Sequence, residues 1–286
     1  MTSACVTYED IVRGLRLLGL DKSSDVLVHA SLRSFGRVNG GAETVCRALV
    51  EVCGTVMMTA GAWDLTRIPA PPGLARPHNA DEQSASWEDF EEALSRATPY
   101  SKELPVSRWL GRVAETMRHL FPHERSDHPL FSYLAVGTHA RTLIEAQRPD
   151  FPLGSIQQLA ELGGDVLLLG VGHTSNTTIH LAEQRLGRSR FFRYAKVAPG
   201  AWMELPNLGG CSDGFDAIEP ELAPVTREVT IGRCRARRVA VADVISHAVR
   251  MIEQDPSALL CGNDECGRCA ASLHQRLAVL GEASAT

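Results

Sequence analysis

The chemistry-bearing side chains of this 286-residue chain are densest in the segment Gly170-Val-Gly-His-Thr-Ser-Asn-Thr-Thr-Ile-His-Leu-Ala-Glu183. The apolar run Val166 to Leu169 precedes it, so the pattern is a buried strand ending in Gly-x-Gly and passing into a helix. On that helix Asn176, Thr177, His180 and Glu183 recur at spacings of about one turn and share a face. Ile179, Ala182 and Leu186 form a separate apolar stripe for packing on the sheet. Open α/β sheets bind ligands just beyond the carboxyl ends of their strands, which is where this polar face lies. A histidine there is suited to act as general base near neutral pH, and a carboxylate can orient it or hold a cationic substrate. His173, one turn before Thr177, fits either a structural or a substrate-binding role.

A second segment joins a strand to a helix through Ser31-Leu-Arg-Ser-Phe-Gly-Arg-Val-Asn-Gly-Gly41. Small residues let backbone amides approach an anion, arginines add charge, and a helix N-terminus adds a favourable dipole. A plain turn would use the same glycines. No Gly-Lys-Ser/Thr follows, so this is not a Walker loop. The Gly170-x-Gly172 pair lacks the third glycine of a dinucleotide fingerprint. Neither a Gly-x-Ser-x-Gly elbow nor a cysteine-protease context is present, which favours direct attack by a substrate group over a covalent intermediate.

Of eight cysteines, Cys46 and Cys53 sit in a helical pattern and suit core packing. Cys261-x4-Cys266-x2-Cys269 could hold zinc only with a fourth ligand from afar, Cys211 or His274. Lacking a second matching pair, they are taken as structural thiols, and no metal is expected. Asp81, Glu82, Glu88, Asp89, Glu91 and Glu92 place six carboxylates within twelve residues. They suit a solvated face, or a wall of negative charge that attracts a polycation.

Helical periodicity marks Tyr8 to Leu20, Glu43 to Cys53, Pro105 to Leu120 and Val241 to Ile252. Short apolar runs mark strands at Val26 to Val28, Thr55 to Met58 and Val166 to Leu169, and Val225 to Val239 alternates like a hairpin. The expected fold is α/β, one large domain spanning 1–286 with a mixed, mostly covered sheet flanked by helices. A net charge of −5 argues against a nucleic-acid partner, and no apolar run is long enough for a membrane span. The N-terminus lacks a secretory pattern, so a cytoplasmic location is expected, as a monomer or homodimer.

His29-Ala-Ser-Leu-Arg-Ser-Phe-Gly-Arg-Val-x-Gly-Gly-Ala42 and Gly170-Val-Gly-His-x-Ser-Asn-Thr-x-x-His-x-Ala-Glu183 together resemble the aminoglycoside 3-N-acetyltransferase family, which differs in fold from the GNAT acetyltransferases. Pro105-Val-Ser-Arg-Trp-Leu-Gly111, Arg125-Ser-Asp-His-Pro129, Ala135-Val-Gly137, Gly209-Gly-Cys-Ser-x-Gly-Phe-Asp216 and Leu260-Cys…Cys-Gly-Arg-Cys269 add ordered matches from about residue 7 to residue 270. The resemblance implies acetyl transfer from acetyl-CoA to an amine, the 3-amino group, of an aminoglycoside antibiotic, conferring resistance.

It further implies that His180 is the base and Glu183 its orienting or substrate-binding carboxylate. Ser31, Leu32, Arg33, Ser34, Phe35, Gly36, Val38, Gly40 and Gly41 would contact the CoA arm and phosphates, with Thr177 near the thioester. Asp64, His173, Asn176, Glu183 and Asp213 would face the acceptor, while Ser126 and His128 are positional. Pro99-Tyr-Ser-Lys-Glu103 lacks the family's aspartate, and the variable stretch 63–101 shapes the acceptor side. Two alternatives accompany this reading: a CoA-dependent acyltransferase for another amine, and a non-catalytic protein whose cysteine cluster binds zinc or reacts as thiols.

Overall fold

Strands with unbroken apolar runs need cover on both faces, and the central sheet supplies it. The computed structural model describes residues 5–74 and 83–284, so Asp81 and Glu82 lie outside it. Ten strands occur in the described residues: β1 (Asp25–Ala30), β2 (Thr55–Thr59), β3 (Arg67–Ile68), β4 (Glu124–Arg125), β5 (Tyr133–Gly137), β6 (Asp165–Leu169), β7 (Phe191–Ala198), β8 (Ala201–Leu208), β9 (Arg227–Ile231) and β10 (Cys234–Ala240). Seven form one sheet in the order β4-β5-β2-β1-β6-β10-β9, and β3-β7-β8 form a second. β1 pairs in parallel with β2 and β6, and the outer pairings are antiparallel, so the sheet is mixed as expected.

Alternation along the strands decides which face each residue serves. Val26, Val28, Leu167 and Leu169 enter one core with the helices Tyr8–Leu17, Gly41–Val52 and Arg112–Leu120. Leu27, Val166 and Leu168 enter the opposite core with Gly154–Glu161, Thr178–Arg185 and Val241–Gln254. The helix after β1 thus covers one face and the helix after β6 the other. The chain therefore diverges to opposite faces between β1 and β6, leaving a crevice beyond their carboxyl ends.

The expected helices, strands and hairpin are found with shifted ends. Tyr8–Leu17 has a capping box between Thr7 and Asp10, and the β9–β10 hairpin turns at Gly232 with φ +62°. The expected helix from Pro105 begins only at Arg112. The approach is held by other bonds: the Arg125 guanidinium donates to the carbonyls of Lys102, Leu104 and Ala60, while the Val106 amide donates to Glu115 Oε2 (2.8 Å) and the Ser107 amide to the Gly61 carbonyl (2.8 Å). The β7–β8 hairpin and the helix Gly267–Ser284 had no expected counterpart. The acidic helix Trp87–Arg96 buries only Phe90, against Tyr194 and Trp202, while Glu88, Asp89, Glu91 and Glu92 face solvent. No helix among the described residues is long and apolar enough to cross a membrane.

Candidate active site

Beyond β6 the chain turns sharply at Gly170 (φ +68°), where an added Cβ would strike the Ser34 side chain. Asp216 accepts hydrogen bonds from the amides of His173 (2.5 Å) and Thr174 (3.3 Å), fixing the turn that follows. Asn176 Oδ1 then accepts from the Thr178 amide (3.2 Å), opening the helix Thr178–Arg185. This helix differs from the expected amphipathic one: Thr178 to Gln184 are all buried. Its polar groups must therefore satisfy one another.

They do so in a relay. His180 Nδ1 lies 2.7 Å from Glu183 Oε2, and Glu183 Oε1 accepts a hydrogen bond from Arg188 Nε at 3.0 Å, with Nη2 in ion-pair contact at 2.9 Å. Glu183 and Arg188 are fully buried, and the remaining Arg188 Nη1 donates to the carbonyls of Pro256 and Ala258, each at 2.8 Å. The helix end explains how Arg188 reaches back: Gly187 (φ +78°) donates to Gln184 O and Arg188 to Glu183 O, a Schellman closure. With Nδ1–H directed at the carboxylate, Nε2 carries the lone pair, the tautomer a base requires.

The imidazole is held between Phe215, edge-on at 4.8 Å between centroids, and the Gly209 backbone. An added Cβ at Gly209 would sit 2.7 Å from two ring carbons of His180, closer than real Cβ contacts allow. Gly209→Ala is accordingly expected to keep the fold, displace the imidazole and lower kcat by roughly tenfold or more. Steady-state assay with a circular-dichroism check reads this. Unchanged kcat would mean that the ring tolerates displacement.

His180 lines a cleft of about 890 Å³ at the sheet crevice, together with Ser31, Leu32, Arg33, Gly36, Asn176 and Thr177. The other candidates are placed elsewhere. Ser34 donates to the Ser31 carbonyl (2.7 Å), Phe35 is in the core, Val38 bridges to Val6, and Gly40 and Gly41 begin the next helix. His173 is buried behind the cleft, its Nδ1 3.2 Å from Asn176 Nδ2. Asp64 and Asp213 are exposed, each next in sequence to a lining residue, Trp63 or Ser212. Among the described residues that line the cleft there is no carboxylate.

Ser126 and His128 brace the wall of the cleft. Ser126 Oγ accepts from the Tyr133 amide (2.9 Å), and His128 Nδ1 accepts from the amides of Leu130 (3.3 Å) and Phe131 (3.0 Å). His29, Trp109, Arg112, Arg188 and Gly209 were not singled out from the sequence, although His29, Trp109 and Gly209 stand inside recognised motifs.

Burial pushes His29 and His128 down to about 4, and burial, with the nearby Arg237 charge, does the same for His173. An unfolded chain binds these protons near pH 6.5, the folded one only near 4. Stability is therefore retained above pH 6.5 and falls as pH drops toward 4, by on the order of 3 kcal/mol per fully shifted histidine. Urea unfolding at pH 7.5 and 4.5 should show the loss, and His128→Gln should reduce it by that histidine's share; a pH-independent midpoint would contradict this.

Residues 27–253 match the family model described as aminoglycoside 3-N-acetyltransferase. The chain belongs to this family. The aminoglycoside N(3)-acetyltransferase III of Salmonella sp. is 35% identical over 274 residues, covering 87% of this chain and 92% of that protein. The prophage-derived aminoglycoside N(3')-acetyltransferase-like protein YokD of Bacillus subtilis is 34% identical over 186 residues, 63% of this chain. That alignment spans 65% of YokD's length. The YokD crystal structure superposes with a TM-score of 0.77 at 26% identity, covering 90% of this chain and 96% of YokD. AAC-IIIb, solved as a binary complex with CoASH, shares the fold at 22% identity and a TM-score of 0.71, over 88% and 97% of the two chains.

Proposed function

We propose that this family member transfers the acetyl group of acetyl-CoA to an amine of an aminoglycoside, the 3-amino group, with His180 as general base. One observation carries the reading: the buried Arg188–Glu183–His180 relay ends on an imidazole at the cleft. The free amine attacks the thioester carbon while His180 Nε2 takes its proton. The new C–N bond forms, the C–S bond breaks, and His180 returns the proton to the leaving thiolate. Thr177, one turn before His180, lines the cleft and makes no side-chain capping bond, so its hydroxyl can donate to the developing oxyanion.

The cleft is within the usual size of small-molecule sites. Arg33 and Arg112 on its lining supply charge for the CoA phosphates, with the Ser31–Gly36 turn beside them. Asp64 and Asp213 at the rim would hold the acceptor's other ammonium groups, and the stretch 63–101, from which Trp63 reaches the lining, would shape that side. Acetylation removes one positive charge from the antibiotic, consistent with resistance. Family membership sets aside the non-catalytic reading. The carboxylate-free lining favours keeping one alternative acceptor, a less charged amine.

A thiol-release assay with acetyl-CoA and a panel of aminoglycosides, apramycin and 4,6-disubstituted compounds included, tests the proposal. CoA release with a panel member is expected. Silence across the panel, with calorimetric CoA binding intact, would move the acceptor to another amine.

A further inference from the structure

Four cysteines from two distant stretches converge behind the imidazole. Cys211 lies in the loop after β8, Cys261 and Cys266 lie in the loop before the helix Gly267–Ser284, and Cys269 lies in its first turn. Their four sulfurs all lie within 4.8 Å of one another. A tetrahedral zinc with Zn–S bonds of about 2.3 Å spaces its sulfurs by about 3.8 Å, so shifts of under ~1 Å complete the geometry. We propose that Cys211, Cys261, Cys266 and Cys269 form a tetrathiolate zinc site that clamps the C-terminal helix to the loop backing His180.

A backbone amide points into the cluster, Cys261 N–H donating to Cys269 Sγ (3.4 Å), and the Cys269 and Cys261 sulfurs lie 3.4 Å apart. Such a donor orients a thiolate ligand and disperses its charge. The core cysteines behave differently: Cys46 is buried singly and gives its S–H to the Val113 carbonyl at 3.4 Å. An all-sulfur donor set selects a soft or borderline ion over magnesium or calcium.

The site also has something to hold. Gly209 abuts the imidazole, Ser212 lines the cleft, and Gly214 packs on the Leu260 carbonyl. The carbonyls of Pro256 and Ala258, just before Cys261, receive Arg188. Zinc would thus tie the backing of His180 to the anchor of its relay. That consequence rests on the proposed role of His180, whereas the metal site itself does not.

Elemental analysis of protein purified without added metal tests the site directly. About one zinc per chain is expected, lost in Cys266→Ser and kept in Cys5→Ser. Cys266→His, which preserves a ligand, should retain zinc even if the serine variant misfolds. Cobalt replacement should give the visible bands and thiolate charge transfer of a four-sulfur tetrahedral site. Iron in place of zinc, a disulfide within the cluster, or four freely titrating thiols with no zinc uptake would overturn the proposal. Zinc removal should lower kcat at least several-fold while CoA affinity holds. Inactivity of the zinc-loaded protein would instead count against the acetyl-transfer reading alone.

Discussion

His180→Ala is expected to lose about 10²- to 10⁴-fold in kcat while the dissociation constant for CoA changes by less than about twofold. The asymmetry follows from the architecture. The residues proposed to hold CoA come chiefly from the β1 loop and the Arg112 region, whereas His180 stands on the helix after β6. Its ring contributes one nitrogen to the cleft, and in the proposed mechanism that nitrogen acts on the amine proton. Glu183, with Arg188 against it, remains in place in the variant, so the helix keeps its buried ion pair. Turnover with and without the substitution, beside calorimetric CoA titration, reads both quantities. Near-normal turnover would remove His180 from the role of base, and a parallel loss of CoA binding would make the residue structural.

The second large effect concerns stability. Arg188→Met should destabilise the fold by about 3–5 kcal/mol, because it strands the fully buried Glu183 carboxylate without its cation. It also unpairs the carbonyls of Pro256 and Ala258. Glu183→Gln combined with Arg188→Met removes both charges and should recover much of the stability. Activity should stay low in the double variant, since an amide cannot hold the imidazole tautomer as a carboxylate does. In Arg188→Met alone, an uncompensated carboxylate beside the imidazole favours its protonated form, so the acid limb of the pH–rate profile should move upward. Denaturant unfolding of the four proteins of this cycle separates the two roles. An Arg188→Met variant within about 0.5 kcal/mol of the wild type would show the pair to be energetically idle.

Much of this machinery was legible because local rules carry it. The apolar runs Val26 to Val28 and Val166 to Leu169 named the two strands that bound the crevice, and turn spacing put His180 and Glu183 together. Arg188 escaped because it lies past the helix end, at a separation that no helical face predicts. Only the Schellman closure at Gly187 turns it back, and that glycine was the available signal. Gly209 and Phe215 reach the imidazole through tertiary packing, which neither periodicity nor propensity encodes. The expected polar stripe divides: Asn176, Thr177 and His180 line the cleft, while Glu183 is buried behind them and paired with His180 and Arg188. The cysteines show the same limit: spacing supplied three thiols and two candidates for a fourth ligand, Cys211 and His274, and only the fold brings Cys211 to the cluster.

The most direct measurement is identification of the product formed from acetyl-CoA and a 4,6-disubstituted aminoglycoside by mass spectrometry and NMR. The expected product carries one acetyl group on the 3-amine, with CoA released in equal amount and no acetyl group left on the protein. An acetylated protein, a product modified at another position, or no product from a chain that binds both compounds would contradict direct transfer at the 3-amine.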